Sequence, residues 1–266
     1  MNFGMPTLID VPKIEDEVKL CKSLGLNFIE LNLNLPNYLS ENINIDNLIK
    51  IANENDIYYT FHLASDFNPF DFNSSVANAF KDEMVNTIRF AKQLKVPVIN
   101  MHLPKGKYLN VGNRKTYLFE EYSDIYYIRL KDFINACEKA VGNSPLKIVI
   151  ENTDGFEKFQ KDSLEMFLNS EVFALAFDIG NSFINKEIDE EFIFENLDKV
   201  VHLHLSDAIS DKANLSLGTG EVDLMRYLLI ATELNSSVVL EVKTVQALER
   251  SIVWIKKRLR DEYFNN

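Results

Sequence analysis

At 266 residues, 46% of them hydrophobic, the chain can bury a large core, and a single barrel of about 250 residues suits that length. Its 40 acidic side chains outnumber 28 basic ones, a net charge of −12 that repels phosphate backbones and disfavours nucleic acid as a partner. No apolar run approaches a membrane span and the opening Met-Asn-Phe-Gly-Met-Pro lacks the flank and core of a signal peptide, so a cytoplasmic protein without a membrane partner is expected.

Strand-like and helix-like segments alternate from the start. Phe3 to Ile9 is largely apolar; Ile14, Val18, Cys21 and Leu24 then fall at helical spacing, with Gly25 as a stop. Asn27-Phe-Ile-Glu-Leu-Asn-Leu33 alternates like a second strand, whose Glu30 could face the barrel interior or cap a neighbour. A short helix over Ile45 to Glu54 precedes Ile57-Tyr-Tyr-Thr-Phe-His62, which is β-branched and aromatic as strands prefer. The next loop, Ala64 to Phe72, is aromatic where loops are usually polar, which suits either a pocket wall or a patch packed on the barrel rim.

A long amphipathic helix over Ser75 to Leu94 leads to Val96-Pro-Val-Ile-Asn-Met-His102. Pro97 is tolerable there because a residue at a strand's entry need not donate to the ladder. The basic stretch Pro104 to Lys115 reads as a solvated loop in preference to a cradle for an anionic substrate group. Helix Glu120 to Val141 precedes Lys147-Ile-Val-Ile-Glu151; a helix near Ser163 to Leu168 precedes Val172-Phe-Ala-Leu-Ala-Phe-Asp178. Helix Glu190 to Leu197, strand Val200-Val-His-Leu-His204, helix Leu224 to Leu234, strand Ser237-Val-Val-Leu-Glu241 and helix Val245 to Leu259 complete the chain. Eight such units of roughly 33 residues, with no linker between them, predict one α/β domain over residues 1–266, a single (β/α)8 TIM barrel. No Gly-rich dinucleotide turn argues for an open doubly wound sheet. Cys21 and Cys137 read as reduced, packed thiols.

In a closed barrel the strands' carboxyl ends converge on one face. All four histidines, His62, His102, His202 and His204, fall at or next to such ends, together with Glu151, Asp178 and Glu241. Three carboxylates brought together repel one another unless positive charge sits between them, and a divalent cation is the natural solution. Glu151, Asp178, His204 and Glu241 offer hard oxygens and one imidazole, which suits Mn2+ or Mg2+ and tolerates Zn2+ or Co2+. His62 and His102, with Glu151 bridging, could build a second, softer site or hold substrate. His202 lies one layer deeper and reads as a packed histidine behind the ligands.

These residues carry a family resemblance. Phe61-His62, Met101-His102-Leu-Pro104, Ile150-Glu151-Asn152, Phe177-Asp178, His202-Leu-His204-Leu-Ser-Asp207, Leu217-Gly-Thr-Gly-Glu-Val-Asp223 and Leu240-Glu241 resemble the xylose isomerase-like barrel superfamily, in particular its sugar phosphate isomerase/epimerase branch. Relatives there include ketose 3-epimerases and zinc-dependent apurinic endonucleases. The resemblance implies that Glu151, Asp178, His204 and Glu241 hold the metal. It also implies that Glu151 and Glu241 face opposite sides of the substrate carbon, one abstracting a proton and one returning it through a metal-stabilised cis-enediolate. Glu157 would fall where the epimerases place a substrate-contacting glutamate. Asn181 replaces a histidine that many of them use on substrate oxygens, and an amide could still hydrogen-bond a hydroxyl. The third zinc site of the endonucleases is absent, since its positions here are Asn181, Lys212 and Asn214. The glycines of Gly218-Thr-Gly220 could cradle a phosphate, but a tight turn before a helix is the favoured reading.

The expectation is therefore a metal-dependent isomerase or epimerase acting on a small sugar, phosphorylated or not, with a homo-oligomer left open. A dinuclear phosphodiesterase-like hydrolase and a barrel that only binds sugar are the alternatives.

Overall fold

In a computed structural model of the protein, residues 1–39 and 41–259 are described; residues 260–266, the tail of the expected domain, lie outside them. The first half of the chain gives β1 (Asn2–Pro6), α1 (Ile14–Leu24), β2 (Phe28–Asn32), α2 (Ile45–Asn55), β3 (Tyr58–His62), α3 (Ser74–Leu94) and β4 (Val98–His102). A hairpin of β5 (Tyr108–Val111) and β6 (Arg114–Tyr117) follows, then α4 (Leu118–Glu121), α5 (Ser123–Val141) and β7 (Lys147–Glu151). The second half runs α6 (Lys158–Leu168), β8 (Phe173–Asp178), α7 (Ile179–Ile184), α8 (Glu190–Glu195) and β9 (Val200–Leu205). A second hairpin, β10 (Asp207–Ile209) with β11 (Lys212–Leu215), precedes α9 (Leu224–Leu234), β12 (Ser237–Leu240) and α10 (Val245–Lys256).

Eight parallel strands close into one barrel in the order β1-β12-β9-β8-β7-β4-β3-β2, which is the (β/α)8 architecture expected. Closure follows from strand chemistry. Residues of one parity, such as Phe3, Ile29, Tyr59, Ile99, Ile148, Leu175, Leu203 and Val238, join the helices in one large buried core. The opposite parity supplies a smaller inner cluster of Val98, Val149, Ala174 and Ala176. At the amino-terminal end of the barrel Phe28 is fully buried, and a Cβ on Gly4 would lie 2.4 Å from its ring, so β1 needs glycine where that ring lies against it.

Sequence expectation and structure differ at element ends and in the connections. β1 stops at Pro6 rather than Ile9 because the Leu8 N–H leaves the sheet and donates to Glu17 of α1 at 2.8 Å. α6 begins at Lys158, well before Ser163, because Glu157 and Gln160 form a capping box. α7 was not expected, and Asp178 nucleates it by accepting the Asn181 N–H at 2.8 Å. Within the aromatic loop Phe67 and Phe70 are buried against Phe133 of α5, with ring centroids 6.1 and 5.5 Å away, so the loop packs on the rim. Both cysteines are buried and free. No helix among the described residues is long and apolar enough to cross a membrane.

Candidate functional site

The carboxyl ends of the strands surround a cavity of about 270 Å3 lined by Glu30, His62, His102, Glu151, Asp178 and Glu241, with Lys243 and Asn181 at its edge. Strand register sets the composition. His102 pairs with Glu151 across β4 and β7, Asp178 with His204 across β8 and β9, and His204 with Val239 across β9 and β12, so the inward positions of neighbouring strands stand at one height.

His204 is the hub. Its Nδ1 lies 3.1 Å from both Glu151 Oε1 and Glu241 Oε2, and its Nε2 lies 3.0 Å from Glu30 Oε1. One ligand atom from each of Glu151, Asp178, His204 and Glu241 fits within 4.8 Å of the others, which brings together the four residues expected to hold a metal. His62 and His102 aim their Nε2 atoms at one oxygen, Glu151 Oε2, at 3.3 and 3.5 Å, and their rings meet edge to face at 5.1 Å. His62 Nδ1 donates to the Leu63 carbonyl at 2.8 Å, which turns Nε2 toward the cavity.

Electrostatics record how crowded the site is. Burial opposes ionisation of Glu151, yet the His204 charge and hydrogen bonds from His102, His204 and His62 hold its carboxyl well below the usual range. Burial works the same way on Glu241, which hydrogen bonding to His204 and the charges of His204 and Lys243 bring down to about 2. Burial opposes the charged form of His204, but Glu151 and Glu30 raise it well above the ordinary imidazole value. His62 rises to about 9 against its own burial through Glu151. Asp178 moves the other way: burial first, then the charges of Glu241 and Glu151, push its carboxyl well above the usual value.

That last shift tests whether the residues suit a cation. His62, His204 and Lys243 do not neutralise the four carboxylates of Glu30, Glu151, Asp178 and Glu241, and Asp178 is the one whose charge is least compensated. A hard divalent ion among three carboxylates and one imidazole supplies the missing charge, so the donor set fits.

Glu30 was expected to face the interior or to cap a neighbour, and the three asparagines that follow were given no place in the site from sequence. Glu30 reaches from β2 into the interior and is 3% exposed. Asn100, at the centre of β4, donates its amide to Glu151 Oε2 and contributes an otherwise unpartnered Oδ1 to the buried layer. Asn152 accepts the Asp178 N–H at 2.8 Å and donates to the Asp178 carbonyl at 2.9 Å, which ties the end of β8 to the loop after β7. The Asn214 amide, turned with its nitrogen toward Glu241, donates to that residue's carbonyl and Oε1 at 3.1 and 3.2 Å.

Other expectations resolve against the site. Glu157 does not line the cavity: its carboxylate caps α6 and lies 3.7 Å from Lys105 Nζ, so it is not placed to contact substrate there. The basic stretch after His102 turns to protein partners, Lys105 to Asp154 at 3.0 Å and Lys115 to the faces of Tyr108 and Tyr117 at 4.2 and 4.6 Å. The Gly218-Thr-Gly220 loop has its N–H groups already occupied: Asp207 Oδ2 accepts from Gly218 and Gly220 at 2.8 Å each. It is a turn clamped by its own carboxylate, as favoured.

Comparison with known proteins agrees with this architecture. The sequence profile described as xylose isomerase-like TIM barrel matches residues 18–258. An uncharacterized protein of Methanocaldococcus jannaschii is 24% identical over 225 residues, spanning 82% of this chain and 84% of its own. Among solved structures, a D-tagatose 3-epimerase-like protein superposes with a TM-score of 0.75 at 20% identity, covering 97% of this chain and 96% of that one. The IOLI protein, solved with a binding zinc atom, has a TM-score of 0.75 at 15% identity over 100% of both chains.

Proposed function

The chain belongs to the xylose isomerase-like TIM barrel family, and from that premise we propose that it is a divalent-metal-dependent isomerase or epimerase of a small, uncharged sugar. The observation that carries this reading is the convergence of Glu151, Asp178, His204 and Glu241 within one ligand sphere at the floor of the cavity. These four residues would hold the cation, Mn2+ or Mg2+ by their hard-oxygen character, with Zn2+ and Co2+ tolerated. When bound, it supplies Lewis-acid polarisation of a substrate carbonyl.

The protein's own groups account for the proton transfers. Glu151 and Glu241 approach His204 Nδ1 from strands β7 and β12, on different sides of the ring of strands. One carboxylate takes the proton from the carbon next to the carbonyl, leaving an enediolate and a carboxylic acid; return of that proton to the neighbouring carbon completes an isomerisation, and epimerisation requires the other glutamate to enter the cycle protonated and deliver its proton to the opposite face. Asn181 at the cavity edge is suited to a substrate hydroxyl.

Charge chooses the sugar class. Lys243 is the only Lys or Arg lining the cavity among the described residues, and it is engaged with Glu241 Oε1 at 2.8 Å. A phosphate group would meet mostly carboxylates there, so a neutral ketose or aldose suits the cavity better than a sugar phosphate.

A second reading has one specific observation in its favour. His62 and His102 share Glu151 Oε2, which is the arrangement a bridged second ion requires for a hydrolase. Elemental analysis of wild type and His62→Ala separates the two. One ion per chain, retained in His62→Ala and lost in Asp178→Asn, supports the isomerase. Two ions, one lost with His62, would sink the mononuclear reading. With a turned-over sugar in hand, product formed in 2H2O carries deuterium at the reacting carbon, and Glu151→Gln lowers turnover by about 100-fold or more.

A further inference from the structure

Beneath the four expected ligands lies a second polar layer, buried except for the half-buried Ser237 at one end. Glu30 spans the interior from β2 to β9: its Oε1 lies 3.0 Å from His204 Nε2 and its Oε2 lies 3.1 Å from His202 Nε2. Thr60, paired with Glu30 across β2 and β3, donates to the same Oε2 at 3.2 Å. Ser237, paired with His202 across β12 and β9, places its hydroxyl 2.6 Å from His202 Nδ1, closer than its alternative acceptor, the Val201 carbonyl at 3.4 Å. Glu30, His202 and His204 are 3%, 0% and 1% exposed, so the bonds among these three are largely shielded from water.

The protons in this layer can be assigned. An ionised carboxylate only accepts, so the Nε2 atoms of both histidines that face Glu30 carry hydrogen. His202, protonated at Nε2, accepts from Ser237 at Nδ1. His204, committed at Nε2 to Glu30, presents Nδ1 to Glu151 and Glu241. Asn100 Nδ2, 3.3 Å from His204 Nε2, is itself a donor whose partner is Glu151, and so does not displace Glu30.

We infer that Glu30, held in place by His202 and Ser237, is a positioning residue that locks His204 with Nδ1 as the cation-facing nitrogen. The inference rests on the proposed metal site and adds the residues behind it. Glu30, His202 and His204 also lie close enough together to hold an ion themselves. That use is closed to them, because three donors already occupy Glu30 and Ser237 occupies the remaining nitrogen of His202. A ligand imidazole whose far N–H is fixed by a carboxylate does not rotate between its two nitrogens and is a stronger base, and loss of such a partner typically weakens metal binding by about 10- to 100-fold.

Calorimetric titration of the metal-free protein with Co2+ tests this without reference to turnover. Glu30→Gln keeps the volume but sets an amide NH2 against one of the two imidazole N–H groups; its Kd for Co2+ is expected to rise about 10- to 100-fold. His202→Leu, which removes the donor that holds Glu30, should weaken binding as well, whereas His202→Gln, which can still donate to Glu30, should restore it. Glu30→Gln binding within twofold of wild type would overturn the inference. Should Glu30→Gln fail to fold, the His202 pair decides, and equal affinities for Leu and Gln would overturn it. A wild-type protein that binds no Co2+, Mn2+ or Zn2+ brings down the metal site itself, a result distinguishable because it appears before any substitution.

Discussion

Two buried acidic centres lie at the same end of this barrel, and they are built on opposite plans. Asp207 accepts four backbone N–H groups: Gly218 and Gly220 at Oδ2, and Ala208 and Val222 at Oδ1, at 2.8 to 3.2 Å. Its charge is met by fixed neutral dipoles that the fold itself supplies. Glu151, Asp178 and Glu241 instead crowd one another around His204, and Asp178 ends with a carboxyl that resists ionisation. A buried carboxylate is thus no evidence of function by itself. What distinguishes the two is whether the surrounding donors match its charge, and the second centre has the excess of carboxylate that the proposed cation would meet.

One substitution made at both centres gives the sharpest contrast. Asp207→Asn leaves a single acceptor oxygen and points an NH2 group at two backbone donors. Two half-buried N–H groups lose their partners, and because water reaches them in part each costs toward the low end of about 1–3 kcal/mol, so a loss of about 2–3 kcal/mol is expected in denaturant unfolding. Metal-free Asp178→Asn should move the other way and gain about 0.5–2 kcal/mol, because a neutral isostere keeps the oxygen that caps Asn181 and ends the cost of holding a carboxyl protonated beside two carboxylates. A loss of stability at both positions would break the contrast.

The pH dependence of the second variant has a definite sign. Below about 3.8 the Asp178 carboxyl is protonated in folded and unfolded chains alike, and the Asn advantage vanishes. As pH rises past that value the unfolded chain ionises first while the buried group keeps its proton. Wild-type stability therefore falls relative to Asp178→Asn until the raised pKa is passed. Adding Mn2+ should reverse the order, since an ion that binds only the folded wild type stabilises it by mass action. A stability gap that does not change between pH 4 and pH 8 would argue against an uncompensated charge.

The barrel was legible in sequence because its strands are apolar runs with a polar residue at the carboxyl end, and Glu151, Asp178, His204 and Glu241 stood out for that reason. Glu30 was harder. Its strand alternates in a way that allows an inward or a capping role, and only closure brings β2 opposite β9. Asn100 sits between Ile99 and Met101, where nothing local marks it as a partner of Glu151. Glu157 was assigned a substrate contact on loop length alone, and the capping box with Gln160 places it at the start of α6. The first hairpin escaped notice because β5 has no buried face, every residue of it being exposed, and the second because β10 is only 3 residues long, too short for a period to show.

The smallest effect is expected at that first hairpin. Lys115 lies over the exposed Tyr108 and the buried Tyr117, and Arg114 approaches Glu120 at 3.9 Å, with both cations in solvent. None of these residues lines the cavity. If the hairpin cations served an anionic substrate, Lys115→Ala would raise KM and leave kcat alone, with the rise shrinking as salt is added. If they are surface charges packed on aromatic rings, KM, Co2+ affinity and melting temperature should all stay within error of wild type. The second outcome is expected, because a lysine that already has two ring faces and full access to water has little to gain from a substrate held across the rim. A salt-sensitive rise in KM would reopen the sugar phosphate class that the carboxylate-lined cavity disfavours.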